Sequence, residues 1–103
     1  MHKRTKAVAI PVYVKKIVWE RDNFCCIFCG KYVPEECANA HVVNRSQGGL
    51  GVEQNIITAC FQCHQALDNG RETKMYREYA KSYLKRLYPD WTENSVKYMK
   101  GES

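Results

Sequence analysis

The sequence contains no apolar run that approaches the roughly 20 residues of a membrane span. It also begins without the pattern of a signal peptide, because the apolar stretch that follows the basic residues 1–6 is short and is interrupted by Lys15 and Lys16. These two absences predict a cytoplasmic protein with no membrane partner. In a reducing compartment, six cysteines in 103 residues favour metal binding over disulfides.

Acidic residues are missing from the first sixteen positions, which carry five lysines and arginines. The segment 71–100 carries eight basic residues against four acidic ones, so the formal net charge of +5 is concentrated towards both ends. This distribution favours a polyanionic partner such as nucleic acid, although a charge of this size also serves solubility alone. A chain of this length is expected to form one domain.

Four of the cysteines form two C-x-x-C pairs, which are Cys26 with Cys29 and Cys60 with Cys63. Two such pairs, thirty residues apart, are typical of a tetrahedral Zn²⁺ site that joins distant segments of a chain. We prefer Cys26 over its neighbour Cys25 as a ligand because its spacing to Cys29 equals the spacing within the second pair. Cys37 is interpreted as a small apolar residue.

Apolar periodicity and turn residues predict the elements around these pairs. The predicted elements are a flexible basic arm (1–10), a helix (11–22), two short strands (39–44 and 54–59) and a helix (60–69) that ends at Gly70. Tyrosines and leucines between 76 and 87 recur at three- and four-residue intervals, so the region 71–100 should be helical, with its tyrosines packed on the zinc-bound part. The fold class is therefore α+β, a single domain over 11–103 with a small zinc-stapled core at about 21–69.

Histidine, glycine and asparagine occur in a recognisable order over three segments of the chain. These segments read AHVVNRSQGG at 40–49, EQNIIT at 53–58 and CFQCH at 60–64. Together with the cysteine pairs, this pattern resembles the HNH endonuclease family, whose shared core is the ββα-metal fold. The resemblance covers about residues 21–69, and the chain looks most like small HNH proteins of phages and prophages.

The resemblance implies a role for each matching residue. His41 corresponds to the general base that takes a proton from water, and Asn55 to the residue that braces the loop between the strands. His64 corresponds to a ligand of a catalytic divalent metal, and Asp68 lies one helical turn later as a further ligand. Arg45 corresponds to a residue that can bind a phosphate through paired N–H donors. The implied cofactors are structural Zn²⁺ and catalytic Mg²⁺, Mn²⁺ or another divalent ion.

The implied function is nicking or cleavage of DNA by a monomer, with 5′-phosphate and 3′-hydroxyl products. The implied partners are DNA and, for a phage or prophage protein in a bacterial host, terminase or packaging proteins. One position departs from the family, because Ala40 stands where many members have a metal ligand. This departure leaves open an alternative, a non-catalytic zinc-stabilised module that binds DNA or a protein. A redox function of the cysteine pairs is less favoured.

Overall fold

The computed structural model describes residues 7–37 and 39–98, and three α-helices and one antiparallel pair of strands can be traced in full there. The elements are α1 (Val12–Arg21), β1 (Ala40–His41), β2 (Ile56–Ile57), α2 (Phe61–Asp68) and α3 (Thr73–Leu87). In the sheet, Ala40 lies opposite Ile57 and His41 opposite Ile56. The predicted α+β class is confirmed. No helix in this part of the chain is long and apolar enough to cross a membrane.

The two strands are shorter than the six-residue segments that the sequence predicts. The Val42 N–H still donates to the backbone carbonyl of Asn55, at 2.9 Å. The next amide, that of Val43, donates instead to the side-chain Oδ1 of Asn55, at 2.8 Å. A side chain thus replaces the next backbone partner, and the ladder ends there.

The C-terminal region is helical only as far as Leu87, two residues before Pro89. The predicted helical region 71–100 is therefore too long: residues 88–98 contain no α-helix and a single 3₁₀ turn, Asn94–Val96. Their backbone pairs with the glycine loop instead, since the Tyr98 N–H donates to Gly48 O at 2.7 Å. Residues 99 and 100 of the predicted helical region lie outside the described residues.

The last four residues of the predicted arm, 7–10, are packed on the domain, whereas residues 1–6 lie outside the described part. We call residues 7–10 the N-terminal strap. Val8 is only 5% exposed, and the Gly51 N–H donates to Ala7 O at 3.0 Å. A Cβ atom on Gly51 would lie 1.9 Å from Ala9 O. The absence of a side chain at Gly51 therefore lets the strap approach, and the boundary predicted at residue 10 needs correction.

A buried ion pair connects α1 to the sheet and to α3. Arg21 Nε donates to Asp22 Oδ1 at 2.8 Å, and its Nη2 donates to Ile56 O, also at 2.8 Å. Asp22, 6% exposed, also accepts from the Thr58 N–H at 2.9 Å and from the Tyr83 hydroxyl. Each member of the buried pair thus has several hydrogen-bond partners, which offset the cost of removing its charge from water.

The tyrosines of α3 pack largely as predicted. Tyr76 and Tyr83 lie against the main hydrophobic cluster, which contains three of the paired cysteines as well as Leu67 and Leu84. The ring of Tyr76 lies 4.9 Å from that of Phe28, between centroids. Tyr79 contacts Phe28 as well, at 5.4 Å, but is 47% exposed. The helix is therefore held on the cysteine-containing part of the domain.

Candidate active site

The four paired cysteines converge although the two pairs lie far apart in the chain. Their sulfur atoms all lie within 4.8 Å of one another, and the Sγ atoms of Cys29 and Cys60 are 3.7 Å apart. Zn–S bonds of about 2.3 Å in a tetrahedron place the sulfurs about 3.8 Å from each other. The predicted ligands could therefore hold Zn²⁺. Cys25 is not part of this group, and Cys37 is exposed rather than packed as a small apolar residue.

The turn that carries the first cysteine pair directs backbone N–H groups at both sulfurs, although burial raises the pKa of Cys26. The Cys26 N–H donates to Lys31 O at 2.8 Å, and the Phe28 N–H points to Cys26 Sγ at 3.4 Å. The backbone N–H of Lys31 lowers the pKa of Cys29 to about 7, which favours its thiolate. Gly30 has a φ of +78°, and an added Cβ would meet nothing within 4 Å. Glycine is therefore favoured at this position by the left-handed backbone conformation and not by a lack of space for a side chain.

A second group of predicted residues meets at a cavity of about 330 Å³. Its lining consists of His41, Asn44, Arg45, Ser46, His64 and Asp68. β1 supplies His41, the loop after β1 supplies the next three, and successive turns of α2 supply His64 and Asp68. The fold therefore brings four of the five residues with an implied catalytic role to one surface. The fifth, Asn55, is fully buried behind them.

The imidazole of His41 is held by the N-terminal strap. Its Nε2 lies 2.8 Å from the carbonyl oxygen of Val8. Because a carbonyl can only accept, the neutral ring carries its proton on Nε2 and has Nδ1 free of hydrogen. The sequence does not predict this contact, because residue 8 belongs to the segment that is expected to form a flexible arm.

Burial lowers the pKa of His41 below its ordinary value of 6.5, and the nearby Arg45 and His64 act in the same direction. The ring is therefore neutral at pH 7. As the pH falls below about 6.5, the unfolded chain binds a proton here before the folded protein does. The contribution of His41 to the free energy of unfolding is thus complete above that pH and decreases as the solution becomes more acidic.

Asn55 closes the loop between the strands from the inside. Its Nδ2 donates to Val43 O at 3.1 Å and to Leu50 O at 2.9 Å, while its Oδ1 accepts from the Val43 N–H. An amide is suited to this place because it donates and accepts at once. A Cβ on Gly49 would lie 1.8 Å from Val43 O and 2.9 Å from Asn55 Nδ2, so the loop can close only with glycine there.

His64 and Asp68 form a pair of potential metal ligands on the exposed side of α2. His64 Nε2 lies 3.2 Å from Asp68 Oδ2. Two ligand atoms at right angles around one ion, each at about 2.1 Å, are about 3.0 Å apart, so this spacing is compatible with a shared divalent ion as well as with a His–Asp ion pair. Ala40 is 2% exposed and belongs to the hydrophobic cluster. Within the described residues, the cysteines are the only group of three or more His, Cys, Asp or Glu side chains that could share an ion.

Arg77 of α3 reaches the cavity residues, and sequence analysis missed it. Its Nη1 donates to Val42 O, and its Nη2 donates to Asn44 Oδ1 at 2.5 Å and to Asp68 Oδ1 at 3.2 Å. In the sequence it is one of several basic residues at helical spacing, and nothing local distinguishes it. Only the packing of α3 on α2 brings its guanidinium to the carboxylate.

Replacing Arg77 with methionine is expected to lower the free energy of unfolding by about 1.5–3 kcal/mol, the range of hydrogen bonds to charged groups. The Arg77 side chain is 16% exposed, so its partners Val42 O and Asn44 would lose a donor in a partly buried place. Urea denaturation measures the change. Arg86→Met, at an exposed position of the same helix, is the matched control and should change stability little. Equal stabilities of the two variants would contradict a structural role for the Arg77 contacts.

One family model matches the chain, and its description is HNH endonuclease. The match covers residues 26–80, more than half of the chain, and includes both cysteine pairs, the cavity residues and Arg77. No curated protein and no solved structure matches.

Proposed function

Because the chain belongs to the HNH endonuclease family, we propose that it is a metal-dependent nuclease that hydrolyses phosphodiester bonds in DNA. The observation that carries this proposal is the meeting of His41 from β1 with His64 and Asp68 from α2 at one cavity. A base and a pair of metal-binding donors beside one open surface are the components that phosphodiester hydrolysis needs.

His41 is the general base in this proposal. Since Val8 O holds the Nε2 proton, Nδ1 is left to accept a proton from a water molecule in the cavity. The resulting hydroxide forms a bond to phosphorus, and the bond from phosphorus to the 3′ oxygen breaks. After the leaving oxygen takes up a proton, the products are a 5′-phosphate and a 3′-hydroxyl. The lowered pKa of His41 keeps the base neutral at cellular pH.

The other cavity residues bind and orient the substrate. His64 and Asp68 would hold Mg²⁺, Mn²⁺ or another divalent ion, which when bound neutralises the charge that develops on the leaving oxygen. Arg45 lies exposed at the cavity and can donate paired N–H bonds to a phosphate. Asn55 shapes the loop that presents Arg45, and Zn²⁺ on the four cysteines has a structural role.

One observation favours a second candidate function, a zinc-stabilised module that binds DNA or a protein without cutting. Ala40 has no side-chain atom that could bind a metal. Among the described residues, a catalytic ion would therefore have two side-chain ligands, His64 and Asp68. Water and substrate oxygens can complete the coordination of Mg²⁺, which usually keeps several waters. We therefore prefer the nuclease. A monomeric state and an association with phage packaging proteins stay predictions of the resemblance.

Incubation with supercoiled plasmid and a panel of divalent ions tests the proposal. We expect nicked circles with Mg²⁺ or Mn²⁺, no reaction in EDTA, and 5′-phosphate ends that a ligase can seal. Nicks should precede linear molecules because one chain offers one active site. Salt-sensitive DNA binding without cleavage under any of the ions would favour the non-catalytic module instead.

A further inference from the structure

A second groove, of about 350 Å³, lies beside the zinc-binding cysteines and is not used by the proposed reaction. Two of the most exposed large side chains of the described residues line it: Tyr32 is 62% exposed and Phe61 is 75% exposed. Lys31 and the sulfur-bearing Cys60 contribute to the same lining. We call this surface the aromatic groove. It combines two π faces with one positive charge.

The aromatic groove continues the face of α2 that carries the metal-binding pair. Phe61 is the first residue of α2, and His64 and Asp68 follow three and seven residues later, on the same side of the helix. Cys63 and Leu67 occupy the opposite, buried side. At 1.5 Å per residue, Phe61 lies about 4.5 Å and about 10.5 Å along the axis from the two donors. Successive nucleotides of a stacked strand are about 3.4 Å apart, so these intervals correspond to one to three nucleotides.

The exposure of these two rings is not required by the fold. The core contacts of α2 come from Cys63 and Leu67, whereas the ring of Phe61 stays in solvent. The backbone of both aromatic residues is fixed, because Tyr32 pairs with Cys25 in an antiparallel bridge and Phe61 is the first residue of α2. An aromatic side chain has only two side-chain torsions, so it loses little conformational entropy when a ligand stacks on it.

We propose that the aromatic groove binds an unpaired nucleobase of the DNA strand that is cut, within a few nucleotides of the scissile phosphate. Stacking on Tyr32 and Phe61 would hold the base, and the ammonium group of Lys31 would attract the neighbouring phosphate. Bases inside a duplex are already stacked on each other, so this site selects single-stranded regions such as flaps, gaps or bubbles. The inference rests on the proposed nuclease function, since it takes the position of the scissile phosphate from it.

Oligonucleotide binding tests the proposal without requiring cleavage. The zinc-loaded full chain carries His41→Gln, and the probes are single-stranded and duplex oligonucleotides with one 2-aminopurine, whose fluorescence is quenched on stacking. We expect Phe61→Ala or Tyr32→Ala to weaken single-strand binding by roughly 5- to 150-fold, the range of base stacking on an aromatic side chain, and to leave duplex binding unchanged. Phe61→Trp should retain binding and quenching. Tyr13→Ala, which removes another exposed ring (68%) on α1, is the matched control and should bind as the parent does.

The outcomes separate this proposal from the nuclease function. Selective loss of single-strand binding supports the groove even if the plasmid assay shows no cleavage. If a Phe61→Ala protein cleaves DNA and binds single strands as well as its parent does, the proposed role of the aromatic groove is wrong and the proposed nuclease function is unaffected. If Phe61→Ala instead converts a sedimenting dimer to a monomer without affecting DNA binding, the groove is an interface between two copies and the proposal is wrong.

Discussion

We expect the His41→Gln substitution to stop the proposed DNA cleavage and to leave the fold and the zinc content of the protein unchanged. We expect the nicking rate to fall by about 10²–10⁴-fold, the usual contribution of a general base. A glutamine amide can still donate to Val8 O, as His41 Nε2 does, but it cannot take a proton from water. Initial rates on supercoiled plasmid measure the loss, and circular dichroism with zinc analysis verifies the fold.

Gly51→Ala is the control that distinguishes the loss of the imidazole itself from the loss of its hydrogen bond to the N-terminal strap. Its new Cβ would lie 1.9 Å from Ala9 O, so the N-terminal strap must move while His41 stays. The loss of rate should be smaller than with His41→Gln, because the imidazole remains and is only no longer held in one orientation. Full activity of His41→Gln would remove the assignment of His41 as the base.

Cys60→Ser is expected to abolish zinc binding and, with it, the folded state. The apparent free energy of Zn²⁺ binding at such sites, about 10–16 kcal/mol, equals or exceeds the entire stability of a typical domain, about 5–15 kcal/mol. Cys60 also caps α2, since its sulfur accepts from the Cys63 N–H at 3.4 Å. Zinc content and the far-ultraviolet circular dichroism of the purified protein measure both losses.

Cys37→Ser is the matched control for this change. Cys37 is exposed and lies outside the cysteine cluster, so its replacement should preserve zinc content and thermal stability. A strong chelator should unfold the Cys37→Ser protein as readily as its parent. A Cys60→Ser protein that is folded and contains zinc would show that the ligand set is wrong.

Much of the architecture could be predicted because it depends on local spacing. The two C-x-x-C turns require particular residues at particular intervals, and four cysteines at these intervals are expected to converge into a group that could hold Zn²⁺. The apolar patterns placed α1 and α2 within a residue or two of their observed ends. The order of His41, Asn55 and His64 pointed to one site, since β1, the turn before β2 and α2, which carry them, follow one another closely in the chain.

The sequence by itself thus determined the α+β class, the four cysteines that could hold Zn²⁺ and four of the six residues that line the cavity. Only the tertiary structure decided how that cavity is supported. It placed the Val8 carbonyl on His41, the Arg77 guanidinium on Asn44 and the 88–98 segment on the glycine loop. Each of these contacts joins segments that are distant in the chain, and backbone carbonyls or one arginine among many carry no sequence signal. Which of them meet depends on how α1, α2 and α3 pack, and that information is not local.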